Sequence, residues 1–352
     1  MLLQAQVDRL DACENRKPLI RRDSNVPKFV VPNSASLRNA RSFLAGCDPF
    51  ADTERPAVLE LHPKWIYMEP YALAMIAAWG GWCRRHDLPV TVENIGRHAN
   101  YAARMRLFEH LDVDYDPGLR EREETGRFLP ITRVQKRSEI GSVIGDVSAL
   151  LHLDDDPESL AAVQYCVSEL LRNVLEHSGS PEGAFICAHR YTKRQPHRVT
   201  VAVADCGDGI AAHLGRAHAA ALADDRAALG LAMRPGITGA LPGMYGTPDN
   251  AGAGLFITRS MAKGTGGYFF LHSGKAAYRL RRTPSHDEQL LLFVDAYDED
   301  RHDSWVFDHA WFGTVVSVEI RTEHIADYEG FFQWIFRQIP GRRVQERRIR
   351  FT

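Results

Sequence analysis

The sequence lacks the features typical of a secreted, membrane-spanning or zinc-binding protein. Its six cysteines are scattered, with no C-x-x-C pair and no histidine cluster at metal-ligand spacing, which argues against a zinc site or a disulfide scaffold. No uncharged run approaches the roughly 20 residues of a membrane span. The charged N-terminus also has no apolar segment of signal-peptide length. We therefore expect a cytoplasmic protein with reduced thiols and no membrane partner.

An excess of charge of one sign is also missing. The 352 residues carry a formal net charge of −2, which gives no strong case for binding nucleic acid. Arginines between residues 342 and 350 make the C-terminus locally basic, and a solvated tail or helix face accounts for them. Hydrophobic residues make up 45% of the chain and charged residues 25%, as in ordinary globular proteins. The length favours two domains.

The first part of the chain predicts an α/β layer structure. Residues 1–25 are polar and poorly patterned, and we expect them to form a mobile arm. Strand and helix patterns then alternate. They predict a strand over Ala57–Leu61, a helix over Tyr71–Trp82 opened by Pro70, a strand over Leu88–Val92 and an amphipathic helix over Arg97–His110.

The second part begins after a charged, turn-rich stretch, residues 115–133, which predicts a connection. Helices are predicted over Ser138–Leu153, Glu158–His177, Ala219–Met233 and Leu255–Ala262, and strands over Gly183–Tyr191, Arg198–Ala204, Tyr268–Leu271 and Phe312–Arg321. The Gly- and Pro-rich stretch 234–250 is long for a loop, which is more typical of a functional segment than of an inert one. The charged insertion 281–309 has no assigned role.

The predicted helix over Glu158–His177 carries an unusual polar face. Glu169, Asn173 and His177 recur in steps of four and therefore stack on one side. Neighbouring leucines and a valine already supply the apolar stripe that the helix needs for packing. A carboxylate, an amide and an imidazole in this register point to a site for a cation.

Two glycine-rich segments follow that helix. Asp205 ends an apolar strand, and Gly207 and Gly209 come after it, so that a flat group can approach the backbone while the carboxylate accepts a hydrogen bond from an exocyclic amine. An ordinary tight turn explains an isolated match equally well. Gly252 and Gly254 precede Leu255 at the start of a helix, where exposed amides favour phosphate. Neither segment is a Walker A or a Rossmann sequence.

Taken together and in this order, the segments resemble the GHKL superfamily of ATPases, which includes gyrase, heat-shock chaperones, histidine kinases and MutL. Its N box is matched by Glu169, Asn173 and His177, its first glycine box by Asp205, Gly207 and Gly209, and its second by Gly252 and Gly254. Gly313-Thr314 matches the closing element. The resemblance covers roughly residues 135–325 and implies a Bergerat-type two-layer α/β sandwich that binds ATP and Mg²⁺.

The resemblance also implies residue roles. Asn173 would be the Mg²⁺ ligand, and Glu169 would be the catalytic residue that orients or deprotonates the attacking water or hydroxyl. Asp205 would read adenine with support from Thr314. Gly252, Gly254 and Leu255 would lie along the phosphates, and the stretch 234–250 would be the ATP lid. His177 would have a structural or outer role.

Residues 26–115 resemble STAS-like domains, the fold of anti-anti-sigma factors, through the order of their strands and helices. Where the signalling members carry a phosphorylatable Ser, this chain reads Tyr67-Met-Glu-Pro70, so a phosphorylation switch there is not expected. No phosphoacceptor hairpin precedes Glu169, and little chain follows residue 325. The anti-sigma serine kinases are therefore the nearest branch, and they work with STAS-like partners in bacterial partner switching.

The complete prediction is an α/β (α+β) protein divided into an arm at 1–25, a STAS-like domain at 26–133, a GHKL domain at 134–325 and an aromatic and basic helix or tail at 326–352. The function expected is Mg-dependent ATP binding in a signalling system, with a regulatory protein partner or a homodimer. Two alternatives remain open. In the first, an enzyme hydrolyses ATP or phosphorylates Ser or Thr of a partner; in the second, ATP shapes a binding surface with little turnover.

Overall fold

The computed structural model describes residues 26–51, 55–115, 127–151, 157–192, 197–237, 252–282, 295–298, 300–324 and 328–337. The predicted arm at residues 1–25 and the basic segment 342–350 lie outside the described residues. Within these ranges the chain is a mixed α/β protein with parallel and antiparallel sheets, which confirms the predicted class at that level.

The strands and helices follow one another along the chain in mixed order. The strands are β1 (Lys28–Val31), β2 (Ser34–Ala35), β3 (Ala57–Leu61), β4 (Tyr67–Met68), β5 (Val90–Glu93), β6 (Phe128–Val134), β7 (Ala184–Tyr191), β8 (Arg198–Ala204), β9 (Phe269–Leu280) and β10 (His302–Arg321). The α-helices are α1 (Ala40–Ala45), α2 (Pro70–Arg85), α3 (Asn100–Arg104), α4 (Leu107–His110), α5 (Ile140–Leu151), α6 (Pro157–His177), α7 (Gly209–Gly215), α8 (Asp225–Ala232), α9 (Gly254–Gly264) and α10 (Tyr328–Arg337). No helix in the described ranges is long and apolar enough to cross a membrane.

Two sheets organise the molecule. A parallel sheet with the order β1-β3-β5 belongs to residues 26–115, which we call the N-terminal unit. An antiparallel sheet with the order β6-β7-β8-β10-β9 contains Thr314 in β10, and its strand β8 ends just before Asp205. A short parallel pair, β2 and β4, lies outside both sheets.

Helix α2 lies between these two sheets. Every residue from Pro70 to Cys83 is buried, as expected for a helix that is apolar all round and has no solvent-facing side. On one side Trp79 meets Phe29 of β1 with ring centroids 4.9 Å apart. On the other side Tyr71 meets Phe270 of β9 at 5.2 Å. The N-terminal unit therefore shares one hydrophobic core with a face of the antiparallel sheet.

The antiparallel sheet is buried on both faces. Along β7, Phe185 and Cys187 join the core shared with α2, while Ala184 and Ile186 join a second core with α5, α6 and α9. This division follows the two-residue period of a strand. It explains why the first five residues of the strand, from Ala184 to Ala188, are a continuous apolar run. The resulting layer order is parallel sheet, α2, antiparallel sheet, and then the helices that hold the site.

The predicted helix over Arg97–His110 is wrong as one continuous element. A 3-10 turn at Arg97–Ala99, α3 and α4 take its place, and the break falls at Arg106, whose φ is 60°. The interruption leaves the Met105 carbonyl free to accept a hydrogen bond of 3.1 Å from the amide of Ile131 in β6. At Met105, a hydrogen bond from β6 therefore replaces the one that a continuous helix would have formed.

Three further expectations differ from the structure. The predicted helix over Ala219–Met233 is split, because Asp224 caps α8 by accepting a 2.6 Å hydrogen bond from the amide of Ala227. The predicted connection 115–133 ends in β6, whose largely buried strand pairs with β7 at the sheet edge. The predicted insertion 281–309 contains the first part of β10, which pairs with a β9 that continues to Leu280.

Glycine at position 80 sets how closely α2 approaches α4. A Cβ there would lie 2.6 Å from both the His110 carbonyl oxygen and Leu111 Cδ2.

We expect Gly80→Ala to lower the free energy of unfolding by about 1–3 kcal/mol, because overpacking against backbone outweighs the gain in helix propensity. Gly145→Ala in α5, where nothing lies within 4 Å, is the matched control and should not destabilise. Chemical denaturation of both variants checks this, and equal effects would contradict it.

Candidate functional site

The structure brings Glu169, Asn173 and Gly254 together. Glu169 and Asn173 stand one turn apart on α6, with Glu169 buried and Asn173 half-buried. A Cβ at Gly254, the first residue of α9, would lie 2.5 Å from Glu169 Oε2 and 3.6 Å from Asn173 Nδ2. The start of α9 therefore lies directly against the polar face of α6, so close that a side chain at position 254 would have to displace the Glu169 carboxylate.

Two neighbouring charges act on Glu169. Arg172 Nη1 lies 3.3 Å from Glu169 Oε1, and Arg172 Nε lies 3.6 Å from Glu176 Oε1. Burial raises the pKa of Glu169, the Arg172 guanidinium lowers it, and Glu176 raises it. Oε1 is thus engaged by Arg172, while Oε2 faces the start of α9. The raised pKa makes this carboxylate a stronger base toward a water or hydroxyl beside Oε2.

Asp205 follows the end of β8 and is completely buried. Its Oδ1 accepts a 2.8 Å hydrogen bond from the amide of Gly207, and its own amide donates to the Thr314 carbonyl at 3.0 Å. Oδ2 is also buried but has no hydrogen-bond partner at standard geometry among the described residues. A buried acceptor without a donor is costly, so this oxygen is suited to a donor supplied from outside the chain.

The carboxyl group of Asp205 titrates near neutrality. Burial raises its pKa to about 7, whereas the amides of Gly207 and Thr314 lower it. Asp208 raises the pKa further, and the Ser178 hydroxyl, which lies near the carboxylate, is the smallest of the lowering influences. A donor hydrogen-bonded to Oδ2 would stabilise the charged form and release a proton near pH 7.

Gly313 presses against Asp205 from β10. Its φ is 93°, and a Cβ there would lie 2.6 Å from both Asp205 Oδ1 and the Gly207 amide nitrogen. Only glycine combines this backbone conformation with this approach. The next residue, Thr314, contacts Asp205 through its main chain. The predicted group of Asp205, Gly207 and Gly313-Thr314 is therefore contiguous in space.

The C-terminal end of α6 joins the two halves of the site. The Asp208 amide donates to the Ser178 carbonyl at 2.7 Å, and Gly207 packs against the same residue. Ser178 is nine residues beyond Glu169, which corresponds to about 13 Å of helix rise. The candidate site is therefore elongated, with Asp205 at one end and Glu169, Asn173 and Gly254 at the other.

Gly252 lies at the base of the predicted lid. Its φ is 77°, its carbonyl accepts a 2.9 Å hydrogen bond from the Gly236 amide, and its Cα lies against the backbone of Ile237. Residues 238–251, most of the predicted lid, lie outside the described residues. The two ends of that segment thus meet two residues before α9 begins.

The remaining predicted residues have packing roles in the structure. Leu255, the second residue of α9, is half-buried and packs against the second core. Gly209 begins α7 beside the Ser273 hydroxyl. His177 packs against His213 with ring centroids 4.7 Å apart, and burial lowers the pKa of His177.

Sequence reasoning missed three residues that shape the site: Arg172, Ser178 and Trp311. Arg172 was detectable, because it is three residues from Glu169 on the same helix. Ser178 follows that helix immediately, but its approach to Asp205 depends on tertiary packing. Trp311 donates a 3.1 Å hydrogen bond from Nε1 to the Asp205 carbonyl, and no local pattern marks it.

Within the described ranges, no three His, Cys, Asp or Glu side chains form a group that could hold a metal ion. A metal at this site would therefore depend on few protein ligands and on oxygen atoms of a bound ligand. No protein-family model matches the chain, and no curated protein matches it at a significant level.

Proposed function

We propose that this chain binds Mg-ATP in a GHKL-type site and acts as a regulatory ATPase or as a kinase for Ser or Thr of a partner protein. In this proposal the antiparallel sheet with α5, α6 and α9 is a Bergerat-type domain, and the N-terminal unit is STAS-like. The observation that carries the proposal is the buried Oδ2 of Asp205, which has no hydrogen-bond partner at standard geometry among the described residues and lies between Gly207 and Gly313.

Adenine fits the Asp205 end of the site. Its exocyclic amine is a donor that would pair with Oδ2. The glycines at 207 and 313 place no side chain beside this carboxylate, and they pack against the main chain of Ser178 and Asp205. The triphosphate would extend along α6 toward the start of α9. There the amides of the first turn and the helix dipole favour negative charge.

Magnesium fits the other end as an ion with few protein ligands. It keeps several waters and binds phosphate oxygens, so that the Asn173 side-chain oxygen would suffice as its protein ligand. The ion would neutralise charge on the phosphates. Glu169 would hold the attacking water or hydroxyl through Oε2 and take its proton, while Arg172 steadies Oε1.

Asn173→Ala tests the proposal at the metal end. Calorimetric titration of the full chain with a non-hydrolysable ATP analogue should give magnesium-dependent binding for the wild type. The variant should bind about tenfold or more weakly in magnesium and equally well in its absence, because only a metal ligand is lost. Thermal denaturation should show an intact fold, since the apolar stripe of α6 is unchanged. Equal affinity of the two proteins in magnesium would overturn the assignment of Asn173.

Binding should also depend on pH through Asp205, whose pKa is raised to about 7 by burial. Since the adenine amine prefers the ionised carboxylate, affinity for the ATP analogue should rise about tenfold from pH 6 to pH 8. The inosine analogue, which has an oxo group in place of the amine, is the control for titration of the triphosphate itself. A pH dependence identical for the two nucleotides would contradict the role of Asp205.

A second function, an ATP-gated binding module with little turnover, is supported by the N-terminal unit. Tyr67 and Glu69 occupy the region where a phosphoacceptor serine would stand, and Glu69 Oε2 accepts a 2.7 Å hydrogen bond from the amide of Leu37. The unit is therefore not the evident substrate. Its shared core with the antiparallel sheet would instead carry a nucleotide-dependent change to a partner surface, in a homodimer or with another protein.

A further inference from the structure

Trp311 connects the N-terminal unit to the Asp205 end of the site. Its indole is buried in the core shared with α2, and its Nε1 donates a 3.1 Å hydrogen bond to the Asp205 carbonyl. The ring lies 5.2 Å from that of Phe50 and 6.2 Å from that of Phe29, both of the N-terminal unit. One side chain thus contacts the N-terminal unit with its ring and the Asp205 backbone with its N–H.

The position of Asp205 is narrowly constrained by the same strand. Gly313, two residues after Trp311, presses on the Asp205 carboxylate, and the Thr314 carbonyl holds the Asp205 amide. Trp311 fixes the remaining polar group of the main chain, the Asp205 carbonyl. A shift of the indole would therefore move the carboxylate relative to Gly207 and Gly313, and a small shift is enough to impair a hydrogen bond to a flat ligand.

The surroundings of the indole come largely from the N-terminal unit. Phe29 is fully buried and also contacts Trp79 of α2 at 4.9 Å. Phe50 stacks on the exposed Phe312 at 4.2 Å and meets Trp82 of α2 at 4.9 Å. Because buried cores transmit displacement with little compression, a change in how the N-terminal unit packs would reach Asp205 through this ring.

We infer that Trp311 is a positioning residue through which the N-terminal unit sets the selectivity of the site for an adenine base. This inference rests on the proposed function and deepens it, because it assigns a task to the N-terminal unit at the nucleotide site. Trp311 does not touch the base. It acts by holding the backbone of the residue that does.

Trp311→Phe tests the inference, with Tyr71→Phe as its matched control. Tyr71 is buried in the same core and also donates to a backbone carbonyl, that of Ser36 at 3.3 Å, but its ring meets Phe43 and Phe270 and not the two phenylalanines that contact Trp311. The readout is the ratio of affinities for the ATP and inosine triphosphate analogues, measured by calorimetry on the full chain. Loss of stability alone would leave this ratio unchanged, because the two nucleotides differ only at the base.

We expect Trp311→Phe to reduce the preference for ATP about fivefold or more, and Tyr71→Phe to retain the wild-type preference. Phe50→Leu keeps the indole N–H of Trp311 but loosens the packing around its ring. It should reduce the preference for ATP by a smaller factor. It serves as the test if Trp311→Phe does not fold. An unchanged ratio in the folded variants would overturn the inference. A wild type that binds both nucleotides equally, or neither, would refute adenine recognition itself and remove the basis of the inference.

Discussion

Replacing Asp205 by asparagine is expected to weaken binding of the ATP analogue by about a hundredfold or more, because it reverses the polarity of the atom that faces the base. The amide of Gly207 needs an acceptor, so the asparagine oxygen would occupy the position of Oδ1. The NH₂ group would then stand where Oδ2 now lies, opposite the adenine amine. Two donors would meet in a buried site that excludes water. Calorimetric titration measures the loss.

The same change should not harm the fold. In the free protein burial raises the pKa of Asp205 from 3.8 to about 7. Its stabilising contribution is therefore complete below pH 3.8 and is lost as the pH rises through about 7, where the carboxylate ionises. Asparagine cannot ionise, so at pH 8 the variant should unfold at a temperature equal to or above that of the wild type. Full ATP affinity in a folded variant would show that Asp205 does not read the base.

Replacing Glu169 by glutamine is expected to reduce ATP turnover by about 10²- to 10⁴-fold while nucleotide binding is retained. The two side chains have nearly the same shape, so glutamine can occupy the narrow space between Arg172 and Gly254. It cannot accept the proton of an attacking water or hydroxyl. Turnover is measured by phosphate release, and phosphoryl transfer by incorporation into candidate partners.

The result separates the two functions that remain open. A wild type with measurable turnover and an inactive, nucleotide-binding Glu169→Gln variant would support the enzyme. Equal, near-background rates in the two proteins, with binding of magnesium and nucleotide intact, would contradict catalysis and favour the binding module. Arg172→Lys is a useful companion, because it keeps a positive charge near Oε1 and should preserve most of the turnover.

The parts of the site that could be predicted from sequence are those encoded locally. Glu169 and Asn173 share a face because a helix repeats every 3.6 residues, and α6 spans the predicted range almost to the residue. Asp205 was recognisable as the carboxylate after an apolar strand followed by alternating glycines. Gly254 was recognisable at the start of a helix. Tertiary packing places Gly254 against Glu169 and Asn173, and Asp205 near the end of the same helix. No local pattern in the sequence encodes these contacts.

The parts that could not be predicted depend on contacts between residues distant in sequence. The apolar sequence of α2 predicts that this helix is buried. It does not predict that a second sheet packs on the other side of the helix. The helix break at Arg106 occurs together with a hydrogen bond from the amide of Ile131, which lies 25 residues further along the chain. Neither residue carries a local sequence signal for this contact. In the sequence, Trp311 resembles any other aromatic residue of a strand. Only the structure shows that its Nε1–H donates a hydrogen bond to the Asp205 carbonyl.

The shared core changes the expected relation between the two parts of the chain. Two domains joined by a charged connection would move independently by default. Here α2 is sandwiched between the sheets, with Gly81 lying against the ring of Phe185 in β7. In the proposed function, a nucleotide at Asp205 and the packing of the N-terminal unit would therefore act on the same buried surface. Coupling of this kind suits a protein whose nucleotide state is read by a partner.

The most direct measurement is an experimental structure of the full chain with magnesium and a non-hydrolysable ATP analogue. We predict the adenine amine within hydrogen-bond distance of Asp205 Oδ2, the triphosphate at the start of α9, and magnesium bound to Asn173. Nucleotide bound elsewhere on the molecule, or no nucleotide bound at millimolar concentration, would contradict it.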